Sequence, residues 1–131
     1  MENKLIFFVD DDKMILHLME YTFKSREGCQ VHTFFSGEDC IAHLDENPSI
    51  IVLDHILSTY NTGAMSGMEA LKTIHKMRKD IPIIILSQQP DKDLIDEFMK
   101  NGATRYISKD EYFIDSMIET IEDVLNLQGQ D

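Results

Sequence analysis

Short, wholly apolar runs recur along this chain, each followed by a longer stretch in which apolar residues return every three or four positions. Leu5-Ile6-Phe7-Phe8-Val9, Ile50-Ile51-Val52-Leu53 and Ile83-Ile84-Ile85-Leu86 contain no polar side chain. Such runs read as strands buried on both faces, the mark of a parallel sheet covered by helices. Candidate strands fall over 5–9, 29–34, 50–53, 83–86 and 105–108. Ile15, Leu18, Met19 and Thr22 share one face of the first helical stretch, and Leu71 and Ile74 mark the third. Leu94, Ile95, Phe98 and Met99 mark the fourth, and Ile114, Met117, Ile118, Ile121 and Leu125 form a stripe on the last. Five βα units in succession imply a parallel sheet with helices on both faces, joined by right-handed crossovers.

Turn and cap residues fall where those units need them. Asp12 precedes the first helix, expected over 13–25, and Ser36 precedes the second, with Asp39 three residues on. Both side chains can accept hydrogen bonds from first-turn N–H groups. Asn47-Pro48 is expected to stop the second helix and Asn101-Gly102 to cap the fourth, while Pro82 opens a strand where its missing N–H costs least. Residues 55–66, rich in Ser, Thr, Asn and Gly, form the one long connection without a pattern. Long loops in compact domains commonly carry function.

At 131 residues the chain is expected to be a single domain, 1–131, large enough for a real core. With the last helix reaching almost to the end, no effector domain is expected. Twelve Lys and Arg against 24 Asp and Glu give a net charge of −12. That balance disfavours nucleic acid and anionic membrane surfaces and favours a partner with a basic patch. Cys29 and Cys40 are too few for a disulfide framework and are expected to be reduced. The N-terminal apolar run stops at aspartates, too short for a signal peptide, and no segment approaches the length of a bilayer span. The expected location is cytoplasmic.

In an open parallel sheet, ligands bind outside the carboxyl ends of the strands, where the strand order reverses. Those ends carry Asp10-Asp11-Asp12, Asp54, Ser87 and Lys109 in turn. Crowded carboxylates repel one another and lose hydration, so either their pKa values rise or a cation neutralises them. Hard oxygen ligands that share a metal with phosphate suit Mg²⁺. A carboxylate here can attack phosphorus to give an aspartyl phosphate, while a lysine and a hydroxyl contact the phosphoryl oxygens. Each group also has an ordinary reading. Aspartates favour helix starts, which suits Asp12, and Lys109, Ser87 or Tyr106 alone would be unremarkable surface, strand-end and packing residues. Position gives them their value. His55, next to Asp54, is expected to face away from the acids, because successive strand residues point to opposite faces. His17, His32, His43 and His75 show no ligand spacing.

Taken in order, each at its strand end, these residues resemble the receiver domains of two-component response regulators, over residues 5–127. The family's acidic pair matches Asp10 and Asp11, its phosphoacceptor Asp54, its hydroxyl Ser87, its lysine Lys109 and its switch aromatic Tyr106. Gly102-Ala103 matches the Gly-Ala before the fifth strand. The resemblance implies a doubly wound (βα)5 fold of flavodoxin-like strand order 2-1-3-4-5. It implies Mg²⁺, for which Mn²⁺ can substitute, held by Asp11, Asp54 and the backbone carbonyl of Ile56, with Asp10 acting directly or through water. It implies that a phosphohistidine on a sensor histidine kinase or histidine phosphotransfer protein donates to Asp54. The domain would then catalyse only its own phosphorylation and dephosphorylation. Ser87 and Tyr106 would move together and reshape the surface of the fourth helix, fifth strand and fifth helix, which a downstream protein target reads. The resemblance implies a monomer or weak dimer, and the acidic last helix (Glu119, Glu122, Asp123) opposes tight self-association at low salt.

Some positions depart from the family pattern. Ser58 stands where a proline is usual, and Gly67 comes only after an insertion that lengthens the loop beside the site. Asp110 follows Lys109 where the family has a proline in a cis peptide, and a cis bond there would cost about 3 kcal/mol. Gln88 replaces a small residue and is expected to restrict entry of donor or water. Ile56 and Gln89 occupy positions that tune hydrolysis; an apolar Ile56 cannot orient water, so a modestly long-lived phosphoryl group is expected. Residues 127–131 are expected to fray.

Other chemistries fit less well. A flavodoxin-like nucleotide carrier needs backbone N–H groups after the first strand, and three aspartates there would repel its phosphate. A dehalogenase-type phosphatase carries a second Asp two residues after its nucleophile, where this chain has Ile56. The remaining rival is a degenerate receiver acting as a phosphorylation-independent interaction module. The altered loop, Gln88 and Asp110 favour it, and the complete set of site residues opposes it.

Overall fold

Five parallel strands alternate with five helices in the computed structural model, which describes residues 4–55, 65–88 and 91–125. The elements are β1 (Lys4–Val9), α1 (Lys13–Lys24), β2 (Cys29–Phe34), α2 (Gly37–Ala42) and β3 (Ile50–Asp54). They continue with α3 (Gly67–Met77), β4 (Ile83–Ser87), α4 (Lys92–Lys100), β5 (Arg105–Ser108) and α5 (Phe113–Leu125). The sheet order is β2-β1-β3-β4-β5, parallel throughout, as the resemblance implied. Each strand begins or ends within a residue of its expected bounds: β1 gains Lys4, β3 gains Asp54 and β4 gains Ser87.

Side-chain alternation in the central strands builds two cores. Phe7, Val9, Ile51, Leu53, Ile83 and Ile85 face Leu71 and Ile74 of α3 and Phe98 of α4. Ile6, Phe8, Ile50, Val52, Ile84 and Leu86 face Leu16, Met19 and Phe23 of α1 and Met117 and Ile121 of α5. Burying a side chain of this size contributes about 1.5–3 kcal/mol. Packing onto the sheet, more than helix propensity, therefore holds the helices.

The caps agree with the sequence. Asp12 accepts from the N–H groups of Met14 (2.9 Å) and Ile15 (3.4 Å), and Ser36 from that of Asp39 (3.1 Å). Gly102 follows α4 at φ +116°, where a Cβ would stand 2.6 Å from the His75 ring. None of the described peptide bonds is cis, that between Lys109 and Asp110 included.

Several expectations are corrected. The buried stripe of α1 is Leu16, Met19 and Phe23, whereas Leu18 is 42% exposed. Ile15, Leu16, Leu18 and Met19 are all apolar, so periodicity alone left the helix phase ambiguous. The second helix ends at Ala42, and a 3₁₀ turn (Leu44–Glu46) leads to Asn47 at φ +60° before Pro48. Arg78 steadies that turn by donating to the Leu44 carbonyl and to Asn47 Oδ1. In α4 only Phe98 is buried. Glu122 is not a surface charge of α5: it is buried and paired with Arg26, leaving Glu119 and Asp123 exposed. The readings made on Ile56, Ser58, Gln89 and 127–131 lie outside the described residues. Among the described residues no helix is long and apolar enough to cross a membrane.

Candidate functional site

The site forms where the hydrogen-bond ladder continues past the apolar strands. The Asp10 N–H donates to the Phe34 carbonyl (3.1 Å), the His55 N–H to Leu86 (2.8 Å) and the Lys109 N–H to Ser87 (2.8 Å). Residues just beyond each run are thereby aligned like strand residues. Continuing the alternation, Asp10, Asp54 and Lys109 fall on the face of the sheet that carries α1 and α5. Ser87, His55 and Tyr106 fall on the face that carries α3 and α4.

On the first face the Lys109 ammonium lies 2.9 Å from Asp10 Oδ2 and 2.7 Å from Asp54 Oδ1. The Asp12 N–H donates to the other Asp10 oxygen at 3.0 Å. Asp10 and Asp54 are 1% and 5% exposed, so their charges are taken almost wholly out of water. Burial first, and then the neighbouring Asp10 charge, push the Asp54 carboxyl up to about 7, against the opposing hydrogen bond and field of Lys109. Burial also raises Asp10. Burial works against the Lys109 charge, but its hydrogen bond to Asp54 and the fields of both carboxylates outweigh it and hold the ammonium above its usual range.

Asp11 stands at the mouth, and Asp10, Asp11 and Asp54 each offer a carboxylate oxygen within 4.8 Å of the others. Three carboxylates face one ammonium, leaving excess negative charge on hard oxygen donors. That donor set fits a divalent cation of the Mg²⁺ type. The acids, Lys109, Ser87 and His55 line one cleft of about 160 Å³, and Gln88, exposed, lies at its edge. Gly67 opens α3 directly behind it. A Cβ there would collide with the His55 carbonyl oxygen and stand 2.7 Å from that of Asp54, so only glycine lets the helix approach the end of β3.

Five of the residues expected to carry chemistry (Asp10, Asp11, Asp54, Ser87 and Lys109) converge on this cleft. Tyr106 is half-buried against the α3–α4 core, in register with Ile85 two residues before Ser87. The Ile56 carbonyl lies outside the described residues. His55 is the correction. It does take the opposite face from Asp54, but Ser87 hangs on that same face, and His55 Nδ1 lies 3.3 Å from Ser87 Oγ. Burial, then Lys109, lower its pKa. The missing signal was register: Asp54 pairs with Leu86, so the next residues on the two strands are His55 and Ser87.

Over residues 6–122 the chain matches the family model of the response regulator receiver domain. The chain belongs to that family. It is 30% identical over 108 residues to the alkaline phosphatase synthesis transcriptional regulatory protein PhoP of Bacillus subtilis, covering 82% of this chain and 42% of that protein. It is 30% identical over 120 residues to the cell cycle transcriptional regulator CtrA of Caulobacter vibrioides, covering 92% of this chain and 49% of that one. The chain thus spans about half the length of the curated relatives it matches. Among solved structures, the receiver domain of the Francisella response regulator 1452 superposes with a TM-score of 0.81 at 26% identity, covering 95% of this chain and 98% of that one. A CheY-like receiver domain from Methanospirillum hungatei gives 0.80 at 26% identity, covering 97% of both. A receiver domain is a signalling module of two-component systems rather than an enzyme acting on a separate substrate.

Proposed function

We propose that this receiver accepts a phosphoryl group on Asp54 from a phosphohistidine of a sensor kinase or phosphotransfer protein. A single observation carries the reading: Lys109 bridges Asp10 and Asp54 at 2.9 and 2.7 Å, with Asp11 close enough to share one cation with both. An Asp54 oxygen attacks phosphorus; the new O–P bond forms as the P–N bond breaks, and the departing imidazole takes a proton from solvent. Lys109 supplies positive charge to the transferred oxygens, and the Ser87 hydroxyl donates a hydrogen bond to one of them. Mg²⁺ held by Asp10, Asp11 and Asp54 would offset the negative charge that meets in the cleft, with Mn²⁺ able to replace it.

The output face is α4, β5 and α5. Its most loosely embedded part is α4, which buries only Phe98, and weakly buried elements are the ones that shift at low cost. Tyr106, half-buried beside it, would follow Ser87 inward, and a protein partner would read the altered surface. Exposed Glu119 and Asp123 favour a monomer or weak dimer.

The test is incubation with acetyl phosphate, with and without Mg²⁺, read by intact mass beside an Asp54→Asn control. A Mg²⁺-dependent gain of one phosphoryl group, absent from the control, is the expected result. Folded protein that never gains the group would turn the reading toward the phosphorylation-independent interaction module.

A further inference from the structure

We infer that His55 is a positioning residue for Ser87: it holds the serine hydroxyl on the α4 side of the sheet and ties it to α4 through Phe98. The inference rests on the reading of Asp54 as phosphoacceptor. Three contacts define the arrangement. The His55 N–H donates to Leu86 at 2.8 Å, which fixes the backbone beside β4. The His55 ring stands edge-on to Phe98, centroids 5.3 Å apart and planes at 86°. With backbone and ring both held, Nδ1 comes 3.3 Å from Ser87 Oγ, a long but competent hydrogen bond.

Ser87 is 1% exposed, so it exchanges partners within the protein rather than with bulk water. To reach a phosphoryl oxygen on Asp54, its hydroxyl has to leave Nδ1. The ring then loses its tether on one side while still touching Phe98, the one side chain that α4 buries. Capture of the phosphoryl group and loosening of α4 thereby become one event. His55 sets its threshold: a stronger His55–Ser87 contact favours the resting arrangement, and a weaker one favours the phosphorylated arrangement.

Two substitutions separate the parts. His55→Phe keeps the ring edge against Phe98 and removes Nδ1. His55→Asn keeps a hydrogen-bonding atom close to the position of Nδ1 and removes the ring. With acetyl phosphate and Mg²⁺, His55→Phe should gain its phosphoryl group about two- to tenfold faster than wild type, as expected for release from one neutral hydrogen bond. His55→Asn should keep the wild-type rate to within about twofold, while its α4 amides exchange faster with solvent. In the wild-type protein, which needs no variant to fold, the ¹⁵N signal of His55 Nδ1 should shift on phosphorylation. If wild type takes up the group but His55→Phe matches its rate, or the Nδ1 signal stays fixed, the role of His55 is overturned and the reading of Asp54 stands. Wild type that takes up no group overturns both.

Discussion

Replacing Asp54 by asparagine should make the metal-free protein more stable at pH 8. An unfolded aspartate titrates near 3.8, and in the fold this carboxyl is pushed up to about 7 by burial and by Asp10. The folded state therefore binds the proton more tightly, and wild-type stability falls as pH rises between those values. Each unit corresponds to about 1.4 kcal/mol, so the full penalty is about 4 kcal/mol, absent well below pH 4 and complete above pH 7. About 3 kcal/mol of it develops between pH 5 and pH 8. The asparagine side chain of the Asp54→Asn variant has no charge to bury and escapes it, and Lys109 keeps Asp10 as an ionic partner in both proteins. Urea unfolding of both at pH 5 and pH 8, in chelator, should show the variant's advantage growing by about 2–3 kcal/mol across that interval. Adding Mg²⁺ at pH 8 should then raise wild-type stability more than that of the variant, because a ligand that binds only the folded state stabilises it by mass action. An advantage that is the same at both pH values, or a less stable variant at pH 8, would refute the electrostatic account.

Lys109→Ala removes the only cation within 3 Å of Asp10 and Asp54 among the described residues. It should cost about 3–5 kcal/mol of stability at pH 8 by chemical denaturation, since two buried carboxylates are left to repel, and it should abolish phosphoryl gain by mass. Gly67→Ala would drive a methyl group into the His55 carbonyl oxygen, a backbone atom that cannot rotate aside, and place it 2.7 Å from the carbonyl oxygen of Asp54. A loss of about 1–3 kcal/mol is expected, with slower phosphorylation as the end of β3 is pushed from its register; an alanine variant of wild-type stability would show that α3 is free to move.

The architecture was legible because buried parallel strands tolerate no polar position. Leu5 to Val9 and Ile83 to Leu86 are too short for helices and read as such strands, and the first polar residue after each run marks the strand end where chemistry collects. Helix phase was less legible. In α1 four apolar residues within five positions allow two faces, and tertiary packing against Phe8 chose the one carrying Phe23, their ring centroids 5.6 Å apart. Glu122 read as a surface acid because its partner, Arg26, comes from the other end of the chain. His55 was hidden for a related reason. Alternation told which face it takes, but not that Ser87 waits there, since that depends on how β3 and β4 slide against each other, and two identical-looking isoleucine runs do not specify their offset.

The same register accounts for how a charge held on one face can be felt on the other. Asp10, Asp54 and Lys109 form a buried ionic group beneath α1 and α5, where each charge depends on the others. Ser87, His55 and Tyr106 are uncharged or weakly basic groups under α3 and α4, where packing rather than charge decides position. The sheet backbone separates the two sets, and its paired amides keep side chains from crossing it. At the carboxyl end of β3 they meet, where Asp54 and His55 are consecutive residues on opposite faces and Leu86 and Ser87 stand opposite them on β4. A phosphoryl group accepted on Asp54, as proposed above, would extend beyond that edge, where Ser87 could reach it from the far face. The strand end therefore serves as the crossing point between the ionic site and α4, and the residue there that touches both Ser87 and Phe98 is His55.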